Sequence, residues 1–183
     1  MGQPPLAKKV SLSLLEDPRP AKKPTLESAR SRLGGRASDV PASVEDPTIV
    51  AKGLAPGKVV SYALPNGKRR AGVVVYAGSD EVHVLLDPMR LRRVEPAELS
   101  GHDVARDGVL DDELTRLAAD AHVFGLLAEG QTIRYADEEG TLVIGKLVEK
   151  CRWGALVARE DGAVVAVGFR KLWPAPPAVG AES

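Results

Sequence analysis

The chain has 183 residues, 44% apolar and 27% charged, with 25 Lys/Arg balanced by 25 Asp/Glu. That length holds one domain or two small ones with tails, and a net charge of zero argues against a protein whose main work is gripping phosphate backbones. The single cysteine, Cys151, excludes an internal disulfide and a multi-cysteine metal site. No apolar run approaches the roughly 18 residues of a spanning helix. The opening MGQPPLAKKVSLSLLEDP lacks both the apolar length and the small-residue cleavage site of a signal peptide, so the expected location is cytoplasmic, without membrane attachment.

Residues 1–45 are rich in Pro, Lys, Arg, Ser and Ala and contain no aromatic residue. Such a segment buries too little apolar area to offset its ordering entropy and reads as a disordered basic tail. Two stretches within it stand out. KVSLSLL (9–15) alternates Val10, Leu12 and Leu14 as an edge-adding strand would. TLESARSRLGG (25–35) sets Leu26, Ala29 and Leu33 on one helical face, with Thr25 as N-cap and Gly34 as stop. Each reads either as linker or as a binding segment.

Residues 46–99 have a different texture. KVVSYAL, RAGVVVYAG, EVHVLL and LRRV are four short strands, and Pro65-Asn66-Gly67 marks a hairpin turn because Asn-Gly tolerates positive φ. Gly72 inside the second strand signals a bend or bulge. Residues 100–129 carry a net charge of −5 and contain an amphipathic helix over about 110–129. Its stripe is Leu110, Leu114, Leu117, Ala121, Phe124 and Ala128, and Asp111, Asp112 and Glu113 occupy the dipole-favoured first turn. The stripe calls for burial against one or both neighbours.

Residues 130–174 repeat the earlier script. Gly57, Tyr62, Gly67 and Gly72 meet Gly130, Tyr135, Gly140 and Gly145 at a constant offset of 73. RRVEP (92–96) resembles RKLWP (170–174) at an offset of 78, so the second copy is expected to hold about five extra residues around Asp161-Gly162. A flexible tail, 175–183, closes the chain. The expected fold is mainly β: two small barrels, joined by the helix and preceded by the tail, since closure removes the edges of such short strands.

The glycine and apolar positions Gly57, Val60, Tyr62, Gly67, Gly72 and Val75, with Gly130, Ile133, Tyr135, Gly140, Gly145 and Val148, resemble SH3-like barrels of the Tudor/KOW type. The resemblance covers about half the chain. It implies a non-enzymatic module that binds peptides, modified side chains or nucleic acid. Tudor-type readers enclose a cation with several aromatics, and the candidates here are Tyr62 and Tyr76 in the first copy and Tyr135, Trp153, Phe169 and Trp173 in the second.

No catalytic or metal-binding set emerges from the residues. Ser100, His102 and Asp103 are too close in sequence to face one another as a relay, and His83 and His122 stand apart from them. DVARDGVLDDEL (103–114) mimics a calcium loop but has Ala105 and Leu114 where ligands are needed. Cys151, beside Arg152, reads as filling space, although a neighbouring cation favours the thiolate. Neither a cofactor nor a small-molecule substrate is expected. The leading basic cluster is Lys68, Arg69 and Arg70 on the first hairpin with Arg90, Arg92 and Arg93 on the last strand, whereas the matching second hairpin reads Asp137-Glu138-Glu139. The expected function is docking onto a protein assembly through barrel grooves and the tail. The alternative is a transcription or translation accessory in which the basic face of the first barrel contacts nucleic acid.

Overall fold

A computed structural model of the chain describes residues 25–37, 47–78, 81–87 and 90–177. The elements in chain order are α1 (Leu26–Arg32), α2 (Pro47–Ala51), β1 (Val59–Ala63), β2 (Arg69–Ala77), β3 (Val82–Asp87), β4 (Arg90–Val94) and, after a 3-10 turn at Pro96–Glu98, β5 (Leu99–Gly101). Then follow α3 (Val104–Asp107), α4 (Asp112–Leu126), β6 (Thr132–Ala136), β7 (Leu142–Cys151), β8 (Gly154–Ala158), β9 (Val164–Gly168) and, after a second 3-10 turn at Phe169–Lys171, β10 (Leu172–Pro174). The strands form two antiparallel five-stranded sheets, ordered β4-β3-β2-β1-β5 and β10-β6-β7-β8-β9. No helix among the described residues is long and apolar enough to cross a membrane.

The pairing found leaves β4 and β5, and likewise β9 and β10, as sheet edges, so neither ladder is hydrogen-bonded into a ring among the described residues. Each sheet nonetheless curls over its own core. Val94 on edge strand β4 and Leu99 on edge strand β5 share one cluster with Val60, Tyr62, Val74, Val82 and Val84. Glycine makes the curl possible. A Cβ on Gly72 would stand 2.5 Å from Val84 Cγ1, and one on Gly145 would stand 2.5 Å from Val157 Cγ1. At the hairpin tips, Gly67 and Gly140 have φ of 79° and 82°, the left-handed region that side chains resist.

The register corrects the expected insertion in the second copy. Tyr62 pairs with Leu99 and Tyr135 with Leu172, while Val82 pairs with Val94 and Ala155 with Val167. Bulges interrupt β2 between Val74 and Tyr76 and β7 between Leu147 and Glu149. All of these correspondences keep the offset of 73, so the unit repeats from Gly57–Gly101 to Gly130–Pro174 without a length change. RRVEP spans the end of β4 and the start of the first 3-10 turn, whereas RKLWP spans the second 3-10 turn and β10. Ladder register is fixed by which residues the core buries, and a short charged motif carries no such constraint.

The helix between the copies is shorter than 110–129 at both ends, with Asp111 Oδ1 capping it by accepting from Leu114 N–H at 2.7 Å. Its stripe of Leu114, Leu117, Ala121 and Phe124 is buried in one cluster with Val73, Val75 and Leu85 of the first sheet and with Ile133, Tyr135 and Leu147 of the second. Burying each such large side chain stabilises the fold by about 1.5–3 kcal/mol. At its C-terminal end, Lys150 Nζ donates to the carbonyls of Gly125 and Leu127 at 2.9 and 2.8 Å. Burial pushes the pKa of this ammonium down, and the two carbonyls satisfy it where the helix dipole is negative.

The reading of residues 1–45 as one tail is corrected over 25–37. Thr25 caps α1 by accepting from Ser28 N–H at 3.2 Å, and Ala29 and Leu33 bury against Cys151 and Leu156 of the second sheet. Arg30 grips Glu149 with two bonds, 2.6 and 2.9 Å, and holds its carboxyl below the ordinary range. A helix too short to persist alone thus folds by packing on a preformed surface. KVSLSLL lies outside the described residues, as do 178–183 of the C-terminal segment.

The glycine geometry yields an ordering of stabilities. Gly145→Ala is expected to cost about 1–3 kcal/mol through forced overpacking, whereas Gly140→Ala, with open space but left-handed φ, costs about 1 kcal/mol. Urea unfolding midpoints check this, with Gly145→Ala expected to be the lower of the two.

Candidate functional site

A cavity of about 780 Å³ forms an open groove on the second sheet. Tyr135 on β6, Trp153 in the β7–β8 turn, Val165 and Val167 on β9 and Phe169 in the following 3-10 turn line it. Its remaining lining includes the hairpin acids Asp137, Glu138 and Glu139, the cations Arg32, Arg159, Arg170 and Lys171, and Leu33 at the end of α1. An apolar, aromatic floor with ionic side chains around it binds by burial and orients by charge.

Two of the aromatic groups are held in place and a third is left unsatisfied. The Trp153 indole donates from Nε1 to His83 Nδ1 at 2.8 Å, a bond between the two sheets. Its backbone N–H donates to Leu33 O at 3.0 Å, and Phe169 N–H donates to Trp153 O at 3.0 Å. Gly34 lies flat on the indole, where a Cβ would come within 2.7 Å of Cε2. Phe169 packs at 6.2 Å from Phe124 of α4. Tyr135 is 3% exposed, yet its hydroxyl has no hydrogen-bond partner among the described residues. A buried hydroxyl without a partner costs about 1–3 kcal/mol, and this oxygen is closed off from the groove by the core around it.

The other aromatic candidates serve packing. Tyr62 is buried in the first core. Tyr76 meets His83 edge-on at 5.4 Å and lies under the Arg152 guanidinium at 5.3 Å. Arg152 and Arg93 each bond Glu81, both at 3.1 Å. The candidate aromatics therefore do not form one cage: Tyr76 and Trp153 each pack on His83 at the junction of the sheets, while Tyr62 and Tyr135 lie in separate cores.

The basic cluster is likewise divided. Arg69 is structural: its Nε reaches Ser61 Oγ at 3.0 Å and the buried Asp107 carboxylate at 3.1 Å, and its Nη2 reaches Ser100 Oγ. Arg106 beside it holds the Asp107 carboxyl well below the usual carboxylate range. Lys68, Arg70, Arg90 and Arg92 are exposed. The register sets Arg70 and Arg92 at the positions that Val143 and Val165 take in the second sheet. Sequence reasoning missed the Arg69–Asp107 tie because its partners lie on three separate elements. Cys151 is buried, and desolvation pushes its thiol up to about 11, which corrects the suggestion that Arg152 favours the thiolate.

The chain matches no protein-family model, and a search of curated proteins finds no match.

The Trp153–His83 bond has a pH consequence. Nδ1 accepts, so the imidazole must be neutral with its proton on Nε2, which faces Glu81 Oε1 at 3.6 Å. Burial lowers the His83 pKa below its ordinary 6.5, with Arg152 and Arg93 acting in the same direction and Glu81 opposing. The unfolded chain therefore binds the proton more readily, and this contribution to stability is complete above pH 6.5 and lost as pH falls toward the folded value. The melting temperature is expected to fall between pH 7 and 5.5, and the fall should shrink in His83→Gln. Parallel curves for the two proteins would contradict this account. The Cys151 thiol is expected to resist alkylation in the native protein at neutral pH and to react at an ordinary rate once unfolded.

Proposed function

We propose that the protein is a non-catalytic interaction module built from two SH3-like units of the Tudor/KOW type, and that it holds an extended segment of a protein partner in the groove of the second sheet. The SH3-like reading rests on five short strands, a bulged second strand, a 3-10 turn before the last strand and the return of that strand to the first. The observation that carries the groove is its floor of Trp153 and Phe169, both held by hydrogen bonds, beside the hairpin acids Asp137, Glu138 and Glu139. Its lining of aromatic, aliphatic and ionic side chains suits recognition by packing and charge. A single buried thiol suits the reducing cytoplasm, where we place the protein.

The specialisation of the first unit favours a second reading, in which it contacts nucleic acid. Arg70 and Arg92 stand where the second unit has valines, and Lys68 flanks them on the hairpin. Cations so placed would meet phosphates, with strong salt dependence.

Panning a displayed random-peptide library on the full chain tests the first reading. Selected peptides should lose at least about tenfold in affinity on Trp153→Ala, the scale of a lost aromatic anchor, and several-fold on Glu138→Lys with Glu139→Lys. Failure to enrich any peptide, or affinities that neither change alters, would remove it. The nucleic-acid reading expects Lys68→Ala, Arg70→Ala and Arg92→Ala together to weaken RNA or duplex binding several-fold and to flatten its salt slope. Absence of binding at low salt would end it.

A further inference from the structure

The constant offset allows the outer faces of the two sheets to be compared residue by residue. On the first sheet, Val73 and Val75 of β2 and Leu85 of β3 are buried beneath the α4 stripe, with Ala71 and Leu91 packed against the same cluster. Counting on by 73, the second sheet presents Lys146, Val148, Ala158, Ile144 and Val164 at these places. Here the face is open: Ile144 is 46% exposed, Val148 48% and Val164 38%, and neighbouring Leu142 is 58% exposed. α1 covers only the adjoining Leu156, Ala166 and Cys151.

From this we infer that the outer face of β7, β8 and β9 is a docking site for an acidic amphipathic helix of a partner protein. The shape of the occupant follows from the first sheet, where the same backbone surface receives a helix. Strand addition is excluded on this face because the backbone bonds of β7 are taken by β6 and β8. The sign of the occupant follows from two replacements. Lys146 stands where the first sheet has Val73, and Arg134 stands where it has Ser61. Both are exposed and neither makes an ion pair among the described residues. A helix that set carboxylates opposite Lys146 and Arg134 and laid an apolar stripe on Ile144, Val148 and Val164 would satisfy both features. The chain's own candidates fit poorly. Residues 1–24 carry five Lys/Arg against two Asp/Glu, the wrong sign, and the stripe of α4 is already buried.

The test uses the full chain and a fluorescein-labelled peptide of residues 110–128, an acidic amphipathic sequence whose stripe fits the corresponding face of the first sheet. Fluorescence anisotropy should show saturable binding that weakens with salt. Ile144→Asp with Val148→Asp should reduce affinity by at least about tenfold, the scale of a lost apolar anchor. Lys146→Glu, a change on the exposed surface, supplies the same test should the double variant fold poorly, and its affinity should fall several-fold while its melting temperature stays unchanged. Absence of binding, or binding that none of these changes reduces, would overturn the proposal. So would sedimentation showing a dimer that Lys146→Glu dissolves, since the occupant would then be a second copy.

Discussion

The structure depends on one buried contact, the apolar stripe of α4 set between the two sheets. Leu114, Leu117, Ala121 and Phe124 touch Val73, Val75 and Leu85 on one side and the core of the second unit on the other. Sheets this small bury little apolar area alone, and a five-stranded sheet with short edges is marginal without a covering layer. The shared cluster joins the outer face of the first sheet to the core of the second, while the first sheet keeps a core of its own around Val60, Tyr62 and Val74. It also fixes which residues face which across the junction. Lys150, placed under the last turn of α4, and Arg170, which donates to Glu113 in its first turn, tie the second unit to the helix at both ends.

On that frame the two copies have diverged without changing their backbone. Gly72 and Gly145, the bulges of β2 and β7, and the Tyr62–Leu99 and Tyr135–Leu172 pairs persist at one spacing. What differs is the covering of each outer face. The first sheet is roofed by α4 and by Trp153 and Arg152 of its neighbour, and the second is partly roofed by α1. What remains open is an aromatic groove on the second unit and cations on the first, the two surfaces on which the proposed readings rest. The Trp153–His83 and Arg152–Glu81 bonds span the units, so the wall of the groove is positioned by the opposite sheet.

Much of this was legible in the residues. Period-two runs, Asn66-Gly67 and the repeated glycines mark the strands and hairpins, because those patterns report backbone geometry directly. The helix was visible in its stripe and its first-turn acids. β5 was hidden: Leu-Ser-Gly is too short for an alternation signal, and it exists because β1 has a free edge that needs pairing. The end of the second copy was misread for a related reason, since charge similarity between RRVEP and RKLWP says nothing about which residues are buried. The site was legible only as a list of aromatics and cations. That Tyr135 lacks a partner, that Trp153 is pinned by His83, and that Arg69 is consumed by Ser61, Ser100 and Asp107 depend on residues distant in the chain.

The sequence by itself determined the local elements and their duplication, because turns, alternation and helical stripes are written within a few residues of one another. Only the tertiary structure decided which faces are covered and which polar groups are left unmet. Those are properties of contacts such as α1 on β8 and α4 on β2, made between segments whose separation along the chain carries no local signal.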